Sequence, residues 1–407
     1  MVHRTGLARA LSPDVRCGLH DRRSFRGGLR FFPQGMPDPG SRRDLPPYIV
    51  VMGDADRYDY DLPRNLIAQR PLEDRAAARL LVVRRTEGTV EHHQIRDLPG
   101  LLSAGDHLVV NDTRVVPARL VGRRAATGGQ WEGLFLEVER DGLHVGAWRL
   151  LAQTRGRPAL GERIELFDRS GTVAGELTLL ARGPGGSWLV RPEGNEPVEV
   201  LLGRVGRVPL PGYIRSGLAE PGDVERYQTV FAREAGSAAA PTAGLHFTEG
   251  LLATLAARGI GRSHVTLHVG LDTFRPITAE RLDDHPMHTE WCDCPSTTAA
   301  AVRETRAHGG RVVAVGTTSV RTLETAAARA PAGKLLDAWE GATDLFIRPG
   351  HAFRVVDCLL TNLHMPRTTL MVLVAAFAGR DLVMRAYAEA LREQYRFLSY
   401  GDAMLFL

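Results

Sequence analysis

Lysine is nearly missing from this chain of 407 residues, and cysteine is sparse. The four cysteines, Cys17, Cys292, Cys294 and Cys358, are too few and too unevenly spaced for a disulfide scaffold or a paired CxxC zinc site, and a reducing compartment suits them best. Lys334 is the single lysine, so arginine supplies nearly all the positive charge, a bias of GC-rich coding before it is anything functional. Long apolar runs are also missing. The longest, Leu370 to Ala378, falls far short of the ~20 residues a membrane-spanning helix needs and reads as a buried strand or helix. A cytoplasmic protein without membrane association is expected.

What is present points to a globular chain with room for two domains: 44% of residues are hydrophobic and 24% charged. Residues 1–57 hold ten arginines against six aspartates, which equals the whole formal net charge of +4. The remainder is formally neutral, so an RNA-binding surface would need arginines gathered onto one face by folding. Residues 1–52 are rich in Arg, Gly and Pro and lack both periodicity and the apolar stretch of a secretory signal. They are expected to be a disordered extension, with Met52 as an alternative start; scarce serine and four aspartates argue against a transit peptide.

Ordered patterning begins near Tyr58. Asp61 to Ile67 resembles the capped start of a short helix, and Arg79 to Arg84 and His107 to Asn111 read as apolar strands. Between 118 and 209, short runs such as Leu134–Val138, Ala147–Leu151, Arg163–Phe167 and Ser187–Arg191 are separated by Gly, Pro and Asp, the spacing of a small antiparallel barrel or sandwich. Beyond Pro209, helix and strand patterns alternate. Helices are expected over Leu251–Arg258, Ala299–His308 and Ser319–Ala330, with a last one reaching about Arg392. Strands are expected over Ser263–Val269, Arg311–Val315, Asp344–Ile347 and Val355–Leu360. The fold class is therefore a layered α/β main domain, 53–117 and 210–407, with a small antiparallel β-barrel domain inserted at 118–209.

Five segments carry polar groups where chemistry could occur. In Pro241-Thr-Ala-Gly-Leu-His-Phe247, Gly244 permits unusual torsions and His246 projects from the turn, although a lone turn histidine is more often a structural group. In Val265-Thr-Leu-His-Val269, strand alternation puts Thr266 and His268 on one face, facing a ligand or a hydrogen-bonded core. His288 and Glu290 are two apart and share a face if extended; with His285 they could approach a metal, but acid–base or hydrogen-bonding work suits them better. Val312 to Arg321 reads as strand, glycine turn and helix start, where free N–H groups and the hydroxyls of Thr317 and Thr318 could hold a carboxylate or phosphate; a plain helix cap fits as well. Tyr395 to Met404 gathers Tyr395, Arg396, Tyr400 and Asp402, and aromatic faces of this kind can receive a base.

Taken in order, Tyr60–Pro63, Gly105–Asp106, Asn111–Val115 with Pro117–Leu120, Pro241–Thr248, Val265–Gly270, His285–Glu290, Val315–Glu324, Phe346–Gly350, Thr361–Pro366 and Tyr395–Met404 resemble the S-adenosylmethionine:tRNA ribosyltransferase-isomerase family of queuosine biosynthesis. The resemblance implies an α/β domain with a β-barrel insertion. It also implies transfer and isomerisation of the ribosyl part of S-adenosylmethionine onto 7-aminomethyl-7-deazaguanine in tRNA, giving epoxyqueuosine, adenine and methionine. S-adenosylmethionine would be a co-substrate, with no retained cofactor and no metal; tRNA carrying the aminomethyl base would be the partner of a monomeric enzyme. The chain departs from the family pattern at Asp272, where a glycine is usual, and at Leu363 and Met365.

The sulfonium acidifies the C5′ hydrogens, so the reaction calls for a base, for protonation of departing adenine and for a neutral attacking amine. The candidate acid–base pool is His246, His268, Glu290, His288, His364 and Asp402. The candidate binding residues are Asn111, Arg114, Thr242, Thr266, Thr273, Thr317, Thr318, Arg321, Asn362, Tyr395, Arg396 and Tyr400. Two other readings stay open: the same donor used on another acceptor, and a binding protein that holds S-adenosylmethionine or RNA without chemistry. If arginines grip RNA phosphates, log affinity for tRNA falls linearly with log salt, by about 0.7 to 0.9 per phosphate contacted. Filter binding across a salt series checks this, and salt-independent affinity would contradict it.

Overall fold

In the strands His107–Asn111, Val312–Val315 and Cys358–Asn362 every residue is buried. Successive side chains point to opposite faces, so a strand buried along its whole length demands cover on both sides. A computed structural model of the chain describes residues 53–183, 186–270 and 276–407 and shows how that cover is supplied; the expected extension at 1–52 lies outside the described residues. On one face Val109, Val265, Val312, Ala314 and Leu359 pack with Val302, Val320, Leu323 and Val383 from the helices Ser296–Ala307, Thr317–Arg329 and Arg380–Arg392. On the other, Leu108, Val110, Val313, Val315 and Leu360 pack with Phe247, Leu251, Leu252 and Leu255, three of them from the helix Glu249–Ala257.

These strands belong to a mixed nine-stranded sheet. Its order is Trp339–Thr343, Glu290–Cys294, Gly261–Leu267, His107–Asn111, Val312–Val315, Cys358–Asn362, Ala403–Phe406, Arg79–Arg84 and Thr89–Gln94. The four from Gly261–Leu267 to Cys358–Asn362 run parallel, so their carboxyl ends fall along one edge. Ala403–Phe406 runs antiparallel to the last of them, which brings the preceding segment, 395–402, to that same edge.

A closed six-stranded antiparallel barrel interrupts this domain in sequence. Its strands Arg119–Arg124, Gln130–Val138, Trp148–Thr154, Ser187–Pro192, Val173–Arg182 and Arg163–Phe167 pair in that order, and the last closes on the first. Inward residues Leu120, Trp131, Phe135, Leu150, Ile164, Leu177, Trp188 and Val190 fill the interior.

Several local expectations change. Asp61–Ile67 yields only one 3-10 turn, Arg64–Leu66, because Ile67 leaves to bridge Phe397. No strand forms at Asp344–Ile347: pairing with Glu290–Cys294 ends at Thr343, and the Leu345 carbonyl accepts from Arg321 Nε at 3.2 Å in place of a ladder bond. The strand expected from Val355 begins at Cys358, since the N–H groups of Val355 and Val356 donate to the Glu324 carboxylate at 3.0 and 3.1 Å. The last helix is two, Thr369–Ala378 and Arg380–Arg392, broken at Gly379.

Gly206 opens a two-residue strand, Gly206–Arg207, that pairs with the first barrel strand close to Pro117. A Cβ on Gly206 would lie 1.9 Å from the Pro117 carbonyl oxygen and 2.3 Å from that of Leu202, so this close approach requires glycine. Gly206→Ala is expected to destabilise the protein by about 1–3 kcal/mol, as overpacking does. The shift in urea midpoint measures it, with the slope unchanged if the effect is local.

Candidate functional site

A cleft of about 600 Å³ opens at the carboxyl ends of the parallel strands. In open α/β sheets this is where loops diverge and backbone groups become free to meet ligand. Five of the nominated residues line it: Thr242, Thr317, Thr318, Asn362 and His364. Thr317 opens the helix Thr317–Arg329, whose first N–H groups have no partner within the helix. The buried Thr318 hydroxyl and Asn362 Oδ1 have no hydrogen-bond partner among the described residues. Buried polar atoms in native proteins are nearly always paired with protein or water, so these two have hydrogen-bonding capacity that the described residues do not use.

His364 follows the strand Cys358–Asn362, and its Nε2 lies 2.9 Å from Thr361 Oγ1. Its backbone N–H donates to Tyr387 Oη at 2.9 Å, and its carbonyl accepts from Tyr60. Burial pushes its imidazole down to about 3, so it is neutral at pH 7. His246 stands behind Asn362 rather than in the cleft, lining a second cavity of about 280 Å³ with Arg75, Leu245 and Tyr400. Burial, reinforced by Arg396 and Arg75, brings it to about 4. Its turn also differs from expectation. Gly244 is needed for closeness, since a Cβ there would meet Phe231 and Thr229 side-chain carbons at 2.8 Å, and it does not supply a left-handed torsion.

A second polar group forms around Glu290, whose Oε1 accepts from the Gly270 N–H at 2.8 Å and faces His288 Nε2 at 3.5 Å. Its other oxygen is bonded by Arg321, one turn beyond Thr317 and Thr318. Burial pushes the Glu290 carboxyl up, but Arg321, His288 and the Gly270 N–H outweigh it and hold it at about 2. Val269, next to Gly270, lines the cleft, so this ion pair stands beside it.

Thr266 and His268 do share a side, although the strand ends at Leu267. Thr266 Oγ1 donates to Asp112 at 2.7 Å, and His268 Nδ1 meets Thr113 Oγ1 at 2.8 Å while its ring stacks on Trp291, centroids 5.1 Å apart. Burial lowers His268 to about 4. Asn111 braces this corner: its Oδ1 accepts from the N–H groups of Thr113 and Leu267, both at 3.1 Å. None of the three lines the cleft, and Arg114 is exposed apart from it.

The 395–402 segment is a brace more than a platform. Asp402 accepts from the N–H groups of Arg79 and Arg396 at 3.0 and 2.8 Å, and burial raises its carboxyl in spite of them. The Tyr395 ring is covered by the Arg79 guanidinium at 3.7 Å, and Tyr400 Oη donates to Asp223 at 2.8 Å. The Arg396 side chain donates to the Arg70 carbonyl. Thr273 and Asp272 lie outside the described residues. Cleft residues with polar side chains that were not nominated are Tyr213 and Ser399, whose hydroxyls meet at 2.7 Å, together with Thr361 and Thr368. Thr361 is legible as a polar residue within an apolar strand; Tyr213 sits in a loop with no periodicity to flag it.

An α/β enzyme domain whose cleft lies at the strand ends is the class that fold and site define. The family model described as "Queuosine biosynthesis protein" matches residues 55–406, and the chain belongs to that family. It is 50% identical over 353 residues to the S-adenosylmethionine:tRNA ribosyltransferase-isomerase of Symbiobacterium thermophilum, a match covering 86% of this chain and 98% of the relative. Against the protein of the same name from Anaeromyxobacter sp. it is 50% identical over 350 residues, covering 86% and 97%. A crystal structure of S-adenosylmethionine tRNA ribosyltransferase from Thermotoga maritima shares 36% identity over 86% of this chain and all of that one, with a TM-score of 0.48.

The buried Glu290–Arg321 pair gives a pH signature. A carboxyl held below its ordinary value stabilises the fold fully above the unfolded value of 4.5, and that contribution is lost as pH falls toward about 2. Glu290→Gln strands the Arg321 charge and is expected to cost about 3–5 kcal/mol at pH 7. Its stability should also decline less steeply than the parent's below pH 4.5. Urea titrations down that pH range check both; equal slopes would reject the assignment.

Proposed function

We propose that this chain transfers the ribosyl part of S-adenosylmethionine to 7-aminomethyl-7-deazaguanine in tRNA and isomerises it, giving epoxyqueuosine-tRNA with release of adenine and methionine. The observation that carries the reading is the near full-length match to ribosyltransferase-isomerases, 98% of one relative at 50% identity. The cleft supports it: the unpartnered Thr318 hydroxyl lies in the first turn of a helix whose amino end favours an anionic group such as the methionine carboxylate.

The acid–base work follows from the surroundings of each group. His246, His268 and His364 are neutral, and burial makes each a weak base. Glu290 is committed to Arg321. His288 is half-buried and its Nε2 faces the Glu290 carboxylate at 3.5 Å, which orients the ring for proton transfer. Thr317 and Thr318 then hold the donor's carboxylate, and Arg321 fixes Glu290 between the two groups.

Incubation with S-adenosylmethionine and tRNA bearing the aminomethyl base, followed by nucleoside mass spectrometry and adenine quantification, tests the reading. Modified tRNA with equimolar adenine is expected. Adenine without modified tRNA would point to another acceptor, and neither product would leave a binding protein. His288→Ala should lower kcat about 10²- to 10⁴-fold, the range of a lost acid–base group. Unchanged kcat would remove His288 from the mechanism.

A further inference from the structure

Asn362 ends a parallel strand at the cleft and is buried. Its Nδ2 lies 3.1 Å from the Leu398 carbonyl oxygen and 3.3 Å from His246 Nε2. A carbonyl oxygen can only accept, so the amide nitrogen, not the amide oxygen, must face Leu398. The second hydrogen of that nitrogen is directed at His246, whose Nε2 must then be unprotonated, with the ring proton on Nδ1. Burial keeps this imidazole neutral, in keeping with an accepting Nε2. Both amide hydrogens are committed, and Oδ1 remains, buried and unpartnered among the described residues.

An amide able to turn over would offer a ligand either a donor or an acceptor; this one offers only an acceptor. No acidic residue is among the described residues that line the cleft, and Leu363, Met365 and Leu398 flank the asparagine. An ammonium placed there would be a buried cation without a counter-charge, whereas a neutral N–H would be satisfied. We propose that His246 is a positioning residue that locks the Asn362 amide, making its Oδ1 a dedicated acceptor for the 6-amino group of the adenine of bound S-adenosylmethionine. This rests on the donor named under the proposed function. It makes the cleft selective for a 6-amino over a 6-oxo purine, because the oxo group would set two acceptors face to face.

Calorimetric titration of the full chain with S-adenosylmethionine, its 6-oxo (hypoxanthine) analogue and an analogue lacking the methionine amino group tests it. The parent should prefer the 6-amino over the 6-oxo donor by about 10- to 100-fold, the scale of one buried acceptor left unpaired. Asn362→Leu should abolish that ratio. His246→Leu leaves the Leu398 carbonyl as the only partner holding the amide nitrogen and should lower the ratio, while His246→Gln, whose Oε1 can still accept from Nδ2, should retain most of it. This selectivity would not move if His246 were merely part of the packing. A parent-like ratio in His246→Leu overturns the locking role; should that variant not fold, no loss in Asn362→Leu does the same. A penalty confined to the analogue without the methionine amine, and relieved in Asn362→Leu, overturns the assignment to adenine. No binding of S-adenosylmethionine by the parent defeats the donor reading itself, whereas binding without amino/oxo preference defeats only this proposal.

Discussion

Three central parallel strands, buried on both faces, leave polar chemistry one place to go. Their sides are sealed by helices and their interiors by Val, Leu and Ala, so free backbone groups and polar side chains can gather only where the strands end. Asn111 and Asn362 end two of these strands, the Gly316–Thr318 helix start and His364 lie just past strand ends, and His268 follows the neighbouring parallel strand Gly261–Leu267. The antiparallel last strand adds Leu398 and Ser399 from the opposite direction.

Burial then divides the polar groups by task. Groups fully paired within the chain serve as braces: Asn111 ties two strand ends, Asp402 closes the turn before the last strand, and Glu324 accepts three successive N–H groups. Groups left with an open valence, the Thr318 hydroxyl and Asn362 Oδ1, belong to residues that line the cleft. The Glu290–Arg321 pair lies between these extremes. Its net stabilising contribution is small beside the cost of breaking it, since either partner alone would be an uncompensated buried charge. Its service is to hold a carboxylate ionised and fixed opposite His288.

Much of the fold is legible in the sequence because it rests on local periodicity. The barrel strands and the alternation of helix and strand after Pro209 follow from repeats of two and of 3.6 residues. The failures are instructive. Asp344–Ile347 has strand-like composition but lies past the point where its partner strand stops, and Val355 and Val356 are drawn out of the ladder by a carboxylate 31 and 32 residues earlier in the chain. Neither fact exists in any local window.

By itself, then, the sequence determined the periodic elements, the apolar strands that must be covered on both faces, and the family that the order of its motifs resembles. Which polar residue meets which ligand was decided only by the tertiary structure. His246, Asn362 and Leu398 are far apart in the chain and meet at about 3 Å. The role of the histidine, accepting a hydrogen bond so that an asparagine can present its oxygen, depends on that meeting. A side chain's protonation state and free valence are set by what surrounds it in space, and the sequence lists its surroundings only along the chain.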